Sequence, residues 1–193
     1  MVKYLRSSLL LSLLVSLAPA LGDTNLVKNP CFEDGTDGWS DRSCQIEVVT
    51  TPVHGCAKSA RVFGRTETWQ GIKQSLLGKV VNGQTYKVSA WVKLENAELD
   101  TITMSIEQSD DNGTKYKNVA KARLNNKNDW FQITGEFKVD TSGTVSTFDI
   151  YFEGPQSDVS FFVDDVVVSG PDASKAGQNE PNSPKTEPNA PKK

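Results

Sequence analysis

Residues 86–94 read Tyr86-Lys87-Val88-Ser89-Ala90-Trp91-Val92-Lys93-Leu94, with an apolar residue at every second position from Tyr86 to Leu94. A period of two belongs to a β-strand, because successive side chains leave the backbone on opposite faces. The pattern recurs outward from this stretch. Ile102, Met104 and Ile106 alternate with Thr and Ser; Phe131, Ile133 and Phe137 repeat it around Gly135; Phe148, Ile150 and Phe152 follow. Turn-forming residues separate the runs, at Asn82-Gly83, Asp111-Asn112-Gly113 and Ser142-Gly143. The segment from Val159 to Val168 is nearly continuous in apolar residues and predicts a strand buried on both faces. No segment has helical periodicity. Short strands at this spacing predict an all-β chain folded as a two-sheet antiparallel sandwich of the jelly-roll type.

The two ends fall outside that pattern. Lys3 and Arg6 precede an apolar run from Leu9 to Leu17, and Ala18-Pro19-Ala20-Leu21-Gly22 offers small residues for cleavage. Residues 1–22 therefore read as a secretory signal peptide cut after Gly22, and the protein is expected to be secreted and extracellular. The run is short for a membrane span, and no other segment could cross a bilayer, so no membrane attachment is expected after its removal. From Gly170 onward, Pro171, Pro181, Pro184, Pro188 and Pro191 alternate with Asn, Lys, Glu and Ser, and no apolar residue larger than Ala follows Val168. Residues 171–193 cannot bury a core and read as a disordered tail or linker. One domain remains, over 23–170. The unpacked tail helps explain a hydrophobic fraction of only 37% over 193 residues.

Composition excludes several chemistries. The one histidine, His54, rules out a His-built zinc site, and a Ser-His-Asp triad would have to run through it. A net charge of −3 leaves no basic excess for a phosphate backbone, so nucleic acid is not an expected partner. Cys31, Cys44 and Cys56 permit one disulfide in an exported chain and leave one thiol over. A catalytic thiol would need His54, and nothing else in the sequence supports one. If Phe148, Ile150 and Phe152 point into the core, then Thr147, Asp149, Tyr151 and Glu153 face outward. Tyr151 and Glu153 then stand about 7 Å apart on an open sheet face. A flat ring beside an acceptor suits a sugar, although the same alternation also describes an ordinary solvent-facing strand.

Five stretches, the opening strand among them, decide between those readings. Asn25-Leu26-Val27-Lys28-Asn29-Pro30-Cys31-Phe32-Glu33 leads to Asp34-Gly35 and then Gly38-Trp39. Gly64-Arg65-Thr66-Glu67-Thr68-Trp69-Gln70-Gly71, the strand from Tyr86 to Lys93, and Phe162-Val163-Asp164-Asp165-Val166 follow in order. Together they resemble secreted carbohydrate-binding modules of the family 4/9/22 type, most closely the xylan-binding family 22 branch. The resemblance runs over 25–168. It implies a galactose-binding-like β-sandwich that binds a polysaccharide, xylan or mixed-linkage β-glucan, as a monomer. Carried over position by position, the family's groove aromatic falls on Trp69 and its second aromatic on Tyr116. Its hydrogen-bonding groups fall on Arg42, Tyr151 and Glu153. Trp39, Trp91 and Trp130 are left to packing, with Trp91 off the core-facing register of its strand. The resemblance also implies a structural calcium held by Glu33 and Asp164, with Asp165 as a possible substitute and backbone oxygens near Lys58 as partners; oxygen-only ligation suits that ion.

The chain departs from the family pattern where Cys31 and Cys56 replace glycines and where Ser43-Cys44 follows Arg42. If residues 45–50 and 58–64 form a hairpin, Cys44 lies at its far end from Cys56, beyond disulfide reach. Cys31 and Cys56 both flank the implied calcium region, which favours pairing them. Asn112-Gly113-Thr114 is a glycosylation sequon on an expected hairpin tip, meaningful in a eukaryotic host, where a glycan would crowd the groove near Tyr116. The leading reading is a non-catalytic binding module. A small jelly-roll glycoside hydrolase is the alternative; it needs two opposed carboxyl groups, with Glu153 one candidate and Glu107 the other. A wall-associated adhesion protein is the third reading.

Overall fold

The computed structural model describes residues 24–175. The signal segment and the tail beyond Lys175 lie outside the described residues. Eleven strands follow one another: β1 (Thr24–Asn25), β2 (Ser40–Arg42), β3 (Gln45–Val49), β4 (Ser59–Phe63), β5 (Gly71–Ser75), β6 (Thr85–Leu94), β7 (Asp100–Asp110), β8 (Gly113–Leu124), β9 (Phe131–Lys138), β10 (Thr147–Glu153) and β11 (Phe161–Gly170). A 3-10 turn at Ala173–Lys175 ends the described chain. All pairings are antiparallel. One sheet runs β3-β4-β11-β6-β9, with β1 added on β11; the other runs β2-β5-β10-β7-β8. No helix among the described residues is long and apolar enough to cross a membrane.

The alternation in β6 decides how the sheets stack. Tyr86, Val88, Ala90, Val92 and Leu94 are all buried and meet Ile72, Ile102, Met104, Phe148, Ile150 and Phe152 from the opposite sheet in one core. Each large side chain buried this way contributes about 1.5–3 kcal/mol relative to exposure. Trp39 is in that core as expected, 5.1 Å from the Phe32 ring, with its indole N–H donating to the Asn29 carbonyl at 3.1 Å.

The closing strand differs from its sequence reading. Burial on both faces holds from Phe161 to Asp164 and then gives way to alternation, with Val166 and Val168 buried and Val167 and Ser169 half-buried. The register against β6 shifts between Asp164 and Val167, and Asp165 adopts a left-handed φ of 49°. This bulge marks the point where burial on both faces gives way to alternation.

Two connections tie the chain together. Cys31 and Cys56 form a disulfide with Cα atoms 5.8 Å apart, and Cys44 is free. β3 and β4 make the hairpin expected over 45–64, with Val49 opposite Ser59 and Gln45 opposite Phe63. The chain also packs back beyond Gly170. The Tyr86 hydroxyl donates to the Pro171 carbonyl at 2.8 Å, and the Ala173 amide donates to the Lys79 carbonyl at 2.8 Å.

Candidate carbohydrate-binding groove

The outer face of the five-stranded sheet is a grid set by register. Tyr116, Glu107, Asp149 and Ser75 share one row; Asn118, Ser105, Tyr151 and Lys73 share the next; Thr103 and Glu153 begin a third, with Arg42 opposite Gly71 at its β5 side. Alternation placed Asp149, Tyr151 and Glu153 on this face, and there they lie. Asp149 and Tyr151 are nevertheless buried, at 6% and 2% exposure, because longer side chains fold over them. Lys73 Nζ pairs with Asp149 at 2.9 Å, and the Arg42 guanidinium sits 4.3 Å from the centre of the Tyr151 ring.

Arg42 is the hub of the groove. Its guanidinium carbon lies 5.2 Å from the Trp69 ring centre and 5.7 Å from that of Tyr116, within cation–π range of both. It also donates to the Trp69 carbonyl and stands 3.6 Å from the Glu107 carboxylate. Trp69 and Tyr116 themselves are exposed, at 45% and 60%. All five residues implied by the motifs thus meet at one place, a cavity of about 310 Å³ lined by Arg42, Trp69, Tyr116, Asn118, Tyr151 and Glu153.

The floor is rich in hydrogen-bonding groups. Ser105 Oγ lies 2.8 Å from Glu153 Oε1 and 3.1 Å from Asn118 Oδ1. Burial, and then the negative charges of Glu153 and Glu107, outweigh Arg42 and push the Tyr151 phenol up to about 12. Tyr151 therefore stays a neutral hydroxyl, able to donate and accept. Asn118 and Ser105 escaped the sequence reading, since neither residue type stands out until register puts it between Tyr116 and Tyr151.

A second arginine builds the wall. Arg65 is buried and donates to six backbone carbonyls, those of Gln70, Gln156, Val159, Glu67, Thr68 and Pro155, at 2.8–3.4 Å. Gln70 Oε1 accepts the Thr66 and Glu67 amides, closing the loop that presents Trp69. Gly71 follows at a point where a Cβ would come within 1.7 Å of the Phe152 carbonyl, so no larger residue fits between that loop and β10. Arg65 lies inside the motif that marked Trp69, but nothing in its spacing separates a buried pin from a ligand-binding cation.

Two other chemistries can be located. Cys44 Sγ donates to the Gly71 carbonyl at 3.0 Å, and burial raises its thiol pKa, which keeps it protonated and a poor nucleophile. His54 is elsewhere, stacked 3.7 Å from Trp91 on the outer face of the other sheet. Of the two carboxyl groups a hydrolase would use, Glu107 faces Asp149 and Glu153 faces Thr103. Their backbones are therefore four residues, about 13 Å, apart along the strands.

The acids implied as calcium ligands lie around the disulfide. Asp164 is fully buried; its carboxylate accepts the His54 amide at 2.9 Å and the Asp165 amide at 2.8 Å. Burial raises its pKa, and the Asp165 charge adds to the rise. Among the described residues no cationic side chain forms an ion pair with it. Asp164 and Asp165 have carboxylate oxygens within 4.8 Å of each other and of the Cys31 and Cys56 sulfurs. Glu33 is outside that cluster: its Oε1 accepts the Ala57 amide at 2.8 Å, and its carbonyl accepts from the Lys58 ammonium at 2.8 Å. Hard-cation chemistry fits the two aspartates, since bonded sulfurs are no ligands for such an ion. Asn112 is exposed at the β7–β8 tip.

The likeness to known proteins agrees with this geometry. A family model described as Carbohydrate binding domain, CBM_4_9, matches residues 24–158. Exoglucanase XynX of Acetivibrio thermocellus is 34% identical over 160 residues, covering 81% of this chain and 15% of its own length. Endo-1,4-beta-xylanase A of Thermoanaerobacterium saccharolyticum is 36% identical over 149 residues, 75% of this chain and 13% of its own. The chain thus spans about one seventh of these relatives. Among solved structures, the CBM22-2 xylan-binding domain from Paenibacillus barcinonensis Xyn10C superimposes with a TM-score of 0.66 at 27% identity, over 73% of this chain and 97% of that domain. With a family model spanning most of the described residues, and with relatives of this identity, the chain belongs to the carbohydrate-binding domain family CBM_4_9.

Proposed function

We propose that the domain is a secreted, non-catalytic module that binds β-glycan chains, xylan first and mixed-linkage β-glucan second, in the groove of the five-stranded sheet. The observation that carries this reading is the pair of exposed rings, Trp69 and Tyr116, flanking a polar floor of Arg42, Tyr151 and Glu153. Pyranose faces stack on the rings, while the floor hydrogen-bonds hydroxyls. Covering about 80 Å² of one ring contributes roughly 2 kcal/mol, and each well-made hydrogen bond adds about 1 kcal/mol. A neutral polymer needs such groups more than net charge. The names of the relatives and of the superimposed domain support xylan.

The disulfide supports export, together with the leader read from residues 1–22. A structural calcium belongs to the same reading, with Asp164 at its centre and Asp165 and Glu33 as the further acids the chain offers it. Its support is Asp164, buried and in no ion pair among the described residues. In a eukaryotic host Asn112 carries a glycan, and the monomer is the functional unit. Affinity electrophoresis through xylan tests the central point. The wild type should be retarded and Trp69→Ala should not. Equal mobility of the wild type in xylan, β-glucan and blank gels would sink the binding reading, and release of reducing sugar from xylan would replace it with a hydrolase.

A further inference from the structure

A second cleft lies just over the edge of the groove. It opens between β8 and β9, holds about 290 Å³, and has Lys115, Tyr116, Lys117 and Lys138 along its rim. Its size is at the low end for small-molecule sites and suits one sugar residue. Its floor is apolar, from Ile106, Phe137 and Phe148, and its rim carries three exposed lysines. None of Lys115, Lys117 and Lys138 forms an ion pair among the described residues. One acid, Asp140, shares the lining. Asp110, at the same end of the sheet, accepts from Gln108 Nε2 and from the Asn112 and Ser142 amides at 2.7–3.1 Å, and it also feels the charge of Lys115, which leaves Lys117 and Lys138 as the less engaged cations.

Two facts give the cleft a direction. β8 carries Lys115, Lys117, Lys121 and Arg123 and no acid, in a chain whose net charge is −3. The cleft also shares Tyr116 with the groove, so that this ring lines both cavities. Lys115 and Lys117 flank it in sequence and project to the opposite face of the same strand. The ring of Tyr116 therefore stands between the groove and the lysines at the β8 edge.

We propose that the β8–β9 cleft is a uronate subsite, which selects xylan chains bearing acidic side branches. This rests on the groove reading and specifies its substrate class. The main chain lies across Trp69 and Tyr116; the branch turns over β8, sets its ring on the apolar floor and its carboxylate among Lys115, Lys117 and Lys138. Because these ammonium groups are exposed, each contributes modestly and salt weakens them.

The test is calorimetric titration of the whole chain with a xylo-oligosaccharide carrying one glucuronate branch and with its carboxyl-reduced, neutral counterpart. At low salt the wild type should bind the acid about fivefold more tightly, by the sum of three weak exposed contacts. The difference should collapse at about 0.5 M salt, where screening is strong. Lys115→Gln, Lys117→Gln and Lys138→Gln combined should equalise the two ligands while leaving affinity for the neutral one unchanged. These surface changes should keep the wild-type melting temperature. Equal wild-type affinity for both oligosaccharides overturns the uronate subsite and leaves the groove standing, with the lysines merely guarding an edge strand against association. Binding of neither overturns both. A preference that survives the triple substitution places acid recognition elsewhere and also overturns the proposal.

Discussion

The outer faces of the two sheets both carry aromatic side chains, yet among the described residues only one leaves them exposed. On the five-stranded sheet, Trp69 and Tyr116 remain exposed although Arg42 lies against both, and Tyr151 is buried beneath that same arginine. On the six-stranded sheet, Trp91 is covered by His54 at 3.7 Å, and Trp130 packs edge-on to His54 and 6.4 Å from Phe162. His54 is held there by Asp165 at 2.6 Å, beside the disulfide. Both faces thus begin as polar strand surfaces bearing rings, and the loops decide their fate. One loop, pinned by Arg65, lifts a tryptophan out of the protein. The other, tied by Cys56, lays a histidine over one. The lesson is that aromatic count on a sheet face says little about binding; the free ring face does.

The two pins are the strongest points at which to break this contrast. Arg65→Ala strips partners from six buried or half-buried carbonyls, and it should cost about 3 kcal/mol or more of stability and abolish xylan binding with it. Chemical denaturation together with gel retardation measures both. Reducing Cys31–Cys56 should cost about 3 kcal/mol, from the loop freed in the unfolded chain. Denaturation with and without reductant should show that loss, while xylan affinity, measured where the reduced protein is still folded, stays intact. Lost affinity there would mean that the two faces are coupled.

Single rings sharpen the contrast. Trp69→Ala should weaken xylan binding about thirtyfold, the equivalent of roughly 2 kcal/mol. Trp91→Ala should leave that affinity within twofold and instead lower the melting temperature. The smallest effect is a pH dependence from Tyr151. Its phenol is raised to about 12 against an ordinary value near 10. The unfolded chain therefore releases this proton first, so the stabilisation is complete below about pH 10 and is lost as pH rises through about 12. Tyr151→Phe should flatten that part of a stability profile, and binding in the wild type should not vary between pH 6 and 9 through this group.

Much of the fold was legible because alternation is local. The inward sets of β6, β7 and β10 could be read directly, and so could the outward placing of Tyr151 and Glu153. What alternation leaves out is the thickness of what lies over a face. Tyr151 points away from the core and is still buried, because Arg42 arrives from a strand more than a hundred residues away. The bulge at Asp165 was equally hidden, since an unbroken apolar run does not reveal where its register shifts. Motif resemblance supplied Trp69, Tyr116 and Arg42, and the structure brings them into one cavity with Tyr151 and Glu153. It did not supply Arg65's role, Asn118 or Ser105, which depend on pairings between distant strands. The side-by-side placing of Asp164 and Asp165 at the disulfide likewise depends on the bulge, which no motif position reveals.

The contrast between the faces can be read in one titration. The chain has four tryptophans, Trp39, Trp69, Trp91 and Trp130, and each gives one indole N–H resonance. Adding xylohexaose to the ¹⁵N-labelled protein should shift the Trp69 resonance in a saturable way and leave those of Trp91, Trp130 and the core Trp39 in place. Movement of Trp91 or Trp130 with Trp69 unmoved would put the sugar on the other sheet and contradict the account.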